Sequence, residues 1–240
     1  MTDVTENEID AAELRRQEVA FENLAGAVRE LLDATVRSRI NASKVDALTE
    51  QVRGVSRTLL TDALDGPVGL QRSADGRLRD PANPVAGRRN AFAVPLKVHR
   101  DKESKRASAS FTLGAPYEGP PGHVHGGVLA MLLDQVMGMI PALVGRPGMT
   151  GYLNVTYRRP SPLMADLGVE AWVDRTEGWK TYVNGRIFDG QGRTTVEADA
   201  LFIVPKFARQ RLAQKLDQPP MSDDGDYDGE HRNIWFPPVD

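Results

Sequence analysis

The sequence has no cysteine and only four histidines in 240 residues. The first absence excludes disulfides, thiolate metal sites, iron–sulfur clusters and a cysteine nucleophile. A strong charge of one sign is also missing. Thirty Lys and Arg face 33 Asp and Glu, a net of -3, so a dedicated nucleic-acid binder with a large basic excess is not expected. The opening MTDVTENEIDAAE is acidic, unlike a secretory signal or an Arg-rich transit peptide. The longest apolar runs, Val128–Leu133 and Val136–Val144, are parted by Asp134 and Gln135. Neither approaches the roughly 18–20 residues of a spanning helix. The expectation is a cytoplasmic globular protein with no membrane span and no nucleic-acid partner, in keeping with 40% hydrophobic and 26% charged residues.

What is present divides the chain into four parts. Residues 1–60 read as a helical extension. Leu14, Phe21 and Val28 recur every seven residues, and Val45, Leu48, Val52, Val55 and Leu59 follow at 3-4-3-4 spacing. Asn41 and Ser43 offer caps for the second helix. These helices either pack on the rest of the protein or form a coiled-coil or oligomer arm. Residues 61–90, rich in Gly, Pro, Asp and Arg, read as an irregular connection. Residues 91–205 form the main domain, and residues 206–240 a polar, loosely ordered tail.

In the main domain, Phe92, Val94, Leu96 and Val98 alternate, and so do Ala107, Ala109, Phe111 and Leu113. A helix over about Gly126–Ile140, closed by Pro141, comes next. Four more alternating runs follow at Tyr152–Arg158, Leu167–Arg175, Trp179–Asp189 and Thr194–Val204. The order β-β-α-β-β-β-β predicts an α+β fold: one long helix wrapped by a curved antiparallel sheet. The helix has almost no polar face, so burial on all sides is expected. Trp172, Trp179 and Tyr182 fall in strands and read as core or interface.

Two features point to chemistry. His125-Gly126-Gly127 feeds directly into the apolar helix. The first N–H groups of a helix lack internal partners and favour negative charge, as on a carbonyl oxygen during acyl transfer. A tight turn against the sheet would explain the glycines equally well. Asp134 stands among leucines and methionines inside the helix, a costly place for an unpaired carboxylate. It reads as a general base or nucleophile; a structural hydrogen bond or a solvent-facing position is the plainer alternative. Gly126 and Asp134 are eight residues apart, about 12 Å along one helix at 1.5 Å per residue. Both cannot touch one reacting carbonyl. If both serve one site, they come from two copies of the helix related by a two-fold axis.

The stretch YEGPPGHVHGGVLAMLLDQVMG (117–138), with Thr150–Pro160 (TGYLNVTYRRP), resembles the signature of hotdog-fold acyl-CoA thioesterases of the PaaI-like and THEM-like type. The resemblance covers about Asn90–Pro205. It implies a hotdog fold, a homodimer or dimer of dimers with sites between protomers, and hydrolysis of acyl-CoA to a carboxylic acid and CoA. By position, Gly126 would polarise the thioester carbonyl through its N–H, and Asp134 would attack or activate water. Thr150 would orient water or the carboxylate. His125 would shape the turn, with Gly127 beside it and His123 at the entrance. Arg158, Arg159 and Lys206 are candidates for the CoA phosphates, or else solvated surface charge. His123 and His125 offer two metal ligands where three or four are needed, so no metal is expected. No cofactor is expected beyond the CoA of the substrate. Two other readings stay open: a non-catalytic acyl-CoA-binding module, and a hydratase or dehydratase. The second is disfavoured by Met139, one turn beyond Asp134, where a histidine would be wanted.

Overall fold

The structure is a computed structural model that describes residues 10–76, 78–94 and 96–213. Two compact units divide at Phe92/Ala93.

The first unit is built on two helices, α1 (Ala11–Arg37) and α2 (Ala42–Leu59). Asn41 caps α2 as the sequence suggests, its side chain accepting from the Lys44 N–H at 3.1 Å. The segment after α2 rests on α1. Glu18 accepts the Ala74 N–H (2.9 Å), Glu22 pairs with Arg88 (3.2 Å), and the Arg89 guanidinium lies 3.6 Å from the Phe21 ring centre. This connection is not wholly irregular. It carries a short antiparallel pair, β1 (Gln71–Arg72) and β2 (Leu78–Arg79), joined through Gly76 at φ +75°.

The second unit is a six-stranded antiparallel sheet against one main helix. Its elements are β3 (His99–Asp101), β4 (Arg106–Thr112), α3 (Gly126–Gly138), α4 (Ile140–Leu143), β5 (Met149–Tyr157), β6 (Asp166–Glu177), β7 (Lys180–Asp189), β8 (Thr194–Ile203) and α5 (Lys206–Ala213). The spatial order is β3-β4-β6-β7-β8-β5. Strands β4 to β8 all contact α3. Five strands span about 19 Å at 4.8 Å each, close to the length of this helix, so α3 is long enough to meet all of them. This is the predicted α+β arrangement.

Alternation sets which side chains reach the helix. In β4, Ala107, Ala109 and Phe111 are buried between exposed neighbours; in β7, Thr181, Val183 and Ile187 are buried. Gly185 continues that inner row because α3 leaves no room: a Cβ there would sit 2.8 Å from the Met137 sulfur. The β7–β8 turn is locked by Asp189, which accepts from the Gln191 and Arg193 N–H groups (both 3.0 Å) and from Arg193 Nε (2.8 Å). The Arg193 side chain, aided by those backbone donors, holds the Asp189 carboxyl below its usual range. A depressed carboxylate pKa stabilises the fold above the unfolded value near 3.9 and is lost as pH falls through the lowered one. In denaturant titrations, Asp189→Asn is therefore expected to destabilise fully at neutral pH, with the difference from wild type shrinking below about pH 4.

Several expectations are corrected. No described residue of the alternating stretch Phe92–Val98 is in a strand. The Leu96 N–H turns back onto the Val94 carbonyl (2.6 Å), and pairing begins only at His99. Pro141 does not close the helix; it stands in the first turn of α4, where its missing N–H costs nothing. With α4 added, Gly126–Leu143 is 18 residues long and apolar enough by length and composition to cross a membrane, a length that neither apolar run reaches alone. Here it is the core helix, with Leu129, Leu132, Leu133, Val136 and Met137 buried. Its burial is one-sided, since the sheet covers one face and leaves Met131, Asp134, Gln135 and Met139 only half-buried. The start of the expected loose tail is helical: Ala208 of α5 packs with Trp179 and Val204. The remainder of that tail, 214–240, lies outside the described residues.

Candidate active site

The loop entering α3 is a preformed turn. Tyr117 is buried and its carbonyl accepts the His125 N–H (2.9 Å), while the Gly119 N–H donates to the His123 carbonyl (2.9 Å). Gly119 has to be glycine, because a Cβ there would lie 2.7 Å from the His125 Cα. Gly122 turns the loop at φ +75°, and its N–H donates to Glu118 Oε1 (2.7 Å). Val124 donates to the Ser161 carbonyl (3.0 Å), tying the loop to the segment after β5.

His125 is the N-cap of α3. Its Nδ1 accepts the Gly127 N–H at 3.0 Å, so the ring proton resides on Nε2. With Gly127 engaged, the Gly126 N–H at the first helical position has no acceptor among the described residues. The Gly126 carbonyl is held from the other side, by the Tyr157 hydroxyl donating at 2.8 Å. The Tyr157 ring lies 3.2 Å from where a Gly126 Cβ would be. His123 stands one turn outward, its Nδ1 2.9 Å from the Pro121 carbonyl, which makes that nitrogen the protonated one.

Two turns along the same helix, Asp134 is half-buried. Thr150 Oγ1 donates to Asp134 Oδ1 at 2.9 Å. The other carboxylate oxygen has no protein partner among the described residues. A β-bulge sets this contact. The register of β5 on β8 shifts between Thr150 and Tyr152, skipping Gly151. Leu153 and Tyr157 lie on the helix side, so simple alternation would send Thr150 to the opposite face. The bulge returns it to Asp134.

The structure therefore assembles two groups on one helix, about 12 Å apart along a continuous α3. His125, Gly126, Gly127 and Tyr157 form one; Asp134 and Thr150 form the other. Strand β5 runs beside both and is an edge of the sheet, with no strand on its outer side among the described residues.

Three other candidates lie elsewhere. Arg158 pairs with Glu197 (2.9 Å) and lines a groove of about 650 Å³ on the sheet face away from α3. Arg186 in the same groove pairs with Glu170 (2.5 Å), so its charges are internally matched. Arg159 donates to the Thr194 carbonyl (2.9 Å). Lys206 begins α5 and is exposed. Among the described residues, no three His, Asp or Glu side chains gather as a metal site. Tyr157 joins the site alongside the residues the sequence singles out. Its signal is the alternation Leu153, Val155, Tyr157, which puts it on the helix side of β5.

Comparisons with known proteins bear on the family. Residues 121–196 match the family model of the thioesterase superfamily. Acyl-coenzyme A thioesterase THEM4 of Mus musculus is 36% identical over 104 residues, covering 43% of this chain and 45% of that one. Acyl-coenzyme A thioesterase THEM5 of Homo sapiens is 30% identical over 80 residues, 33% of this chain and 32% of that one. The matched region thus spans less than half of these relatives' length. A crystal structure of a thioesterase superfamily protein is 31% identical with a TM-score of 0.69, covering 76% of this chain and 94% of its own. With that share of a solved member matched in both sequence and fold, the chain belongs to the thioesterase superfamily and has its hotdog fold.

Proposed function

We propose that the protein hydrolyses acyl-CoA thioesters, in a site made of Gly126 from one protomer and Asp134 from its partner. The observation that carries this reading is the pair of half-sites on α3. One offers an unpartnered helix N-terminal N–H, and the other a positioned carboxylate with one oxygen open. Neither half is sufficient, and about 12 Å of helix keeps them apart within one chain. A two-fold axis setting two α3 helices antiparallel completes two sites at once. The half-buried face of α3 and the open edge of β5 fit such a pairing. The names of the relatives, acyl-coenzyme A thioesterases, supply the substrate class.

In this reading Asp134 takes a proton from water through its open oxygen, and Thr150 holds the other oxygen in line. The water oxygen bonds to the thioester carbon, and the carbonyl oxygen gains charge against the Gly126 N–H. The C–S bond then breaks, and the proton returns to the CoA thiolate. His125 and Tyr157 keep the donor peptide in place from its two sides.

The deciding experiment is thiol release from acyl-CoA of varied chain length and from aromatic acyl-CoA. Turnover of at least one is expected. Tight binding without thiol release would leave a binding module instead. Tyr157→Phe keeps the ring and loses the hydroxyl. It is expected to lower kcat about fivefold with little change in KM, the worth of one hydrogen bond felt in the transition state. Steady-state kinetics of the folded variant check this; an equal rise in KM would assign Tyr157 to substrate binding.

A further inference from the structure

The end of β5 and the loop entering α3 hang on one buried threonine. The register of β7 on β8 sets Ile187 opposite Val196 and then Phe188 opposite Thr194, so Thr195 is the extra residue of a β-bulge. A bulge leaves its extra residue out of the ladder, and here its polar groups take other partners. The Thr195 carbonyl accepts from the Arg158 N–H (2.8 Å) and the Arg159 N–H (3.0 Å), just where β5 ends. The Thr195 hydroxyl accepts from Ser161 Oγ at 2.8 Å and donates to the Ile187 carbonyl at 3.3 Å. Both side chains are buried, where an unmade hydrogen bond is costly. Ser161 stands between Pro160 and Pro162, whose rings fix φ and stiffen the segment. This segment lies antiparallel to the loop before α3. The Ser161 carbonyl accepts the Val124 N–H (3.0 Å), and the Leu163 N–H donates to the Gly122 carbonyl (2.9 Å).

We infer that Thr195 and Ser161 are positioning residues for the Gly126 N–H. They fix where that donor stands and touch no reacting atom. Val124 directly precedes the N-cap His125, and Tyr157, the last residue of β5, reaches the Gly126 carbonyl itself (2.8 Å). Both grips on the donor peptide therefore lead back to the Thr195 bulge, one through the end of β5 and one through Ser161. This role rests on Gly126 being the donor in thioester hydrolysis. A bond that only holds the fold is felt in stability. One that aims an oxyanion donor is felt in kcat, because the donor matters most once the oxygen carries charge.

Ser161→Ala removes one donor and leaves the bond from Thr195 to Ile187 in place. In the full chain it is expected to lower kcat about five- to tenfold with KM unchanged, the scale of one hydrogen bond. Added to Gly126→Pro it is expected to cost nothing further, since the N–H it aims is gone; added to Asp134→Asn it should cost its full factor. Thr195→Val strands the Ser161 hydroxyl and is expected to lose at least as much, and Thr195→Ser to recover most of that loss. Amide exchange followed by NMR needs no substrate. Ser161→Ala should speed exchange of the Val124 N–H about tenfold beyond any change at Val183 in the core of β7. An equal further loss in the Gly126→Pro background, wild-type kcat in Thr195→Val, or unchanged Val124 exchange would each overturn the proposal. Absence of thiol release from the wild-type chain would fail the hydrolysis reading, and the exchange rates would still decide whether Ser161 holds the loop.

Discussion

Asp134→Asn is expected to lower kcat for acyl-CoA hydrolysis by about 10³-fold, within the range for loss of a general base. The substitution is nearly isosteric. An Asn oxygen still accepts the Thr150 hydroxyl, now donated at 2.9 Å to the carboxylate, so α3 and the bulge of β5 have no reason to move. What disappears is the negative charge and its ability to take a proton. KM should change little, because the ground-state thioester asks nothing of that charge. Thr150→Ala leaves the carboxylate in place but free to rotate, and is expected to cost about tenfold or less, the scale of one hydrogen bond. Thiol-release kinetics on variants of unchanged thermal stability give both numbers. Turnover by Asp134→Asn at the wild-type rate would remove Asp134 from the chemistry.

The order of elements was legible where the paired strands bury one face, as β4, β7 and β8 do. Ala107, Ala109 and Phe111, or Val183 and Ile187, must point the same way, and period two in the sequence records it. The same period misleads at Phe92–Val98. Alternation predicts one-sided burial, but here the neighbours Ala93 and Val94 are both buried while Phe92 is exposed, and the Leu96 N–H folds back onto Val94 instead of joining a ladder. The bulge of β5 is a different kind of miss. Gly151 inside a strand is its signal, yet only the register on β8 says that it flips Thr150 towards the helix. Tyr157 is hidden for a related reason. Its contact with the Gly126 carbonyl joins residues 31 positions apart, which no local pattern encodes. The apolar character of α3 was plain, but composition does not say what covers each face. The sheet takes one, and the other stays half-buried within a single chain.

Gly126→Pro tests the shared site at the donor itself. Proline is accepted at the first position of a helix, and the preceding His125 already has extended backbone (φ -61°, ψ 131°), as a residue before proline requires. The change removes one N–H and leaves the helix start in its preferred conformation, although the new ring must share space with Tyr157, 3.2 Å from the Cβ position. Losing an oxyanion donor is expected to lower kcat about 10²- to 10³-fold. Alone, this variant and Asp134→Asn are both nearly inactive. Mixed in equal amounts, unfolded together and refolded, half of the dimers are hybrid. Each hybrid has one site with both defects and one site with neither, so about a quarter of wild-type activity should return. A site contained in one chain predicts no recovery, since every chain in the mixture carries one lesion. Recovery near a quarter cannot come from a single-chain site, because an intact Gly126 and an intact Asp134 then meet only across the interface.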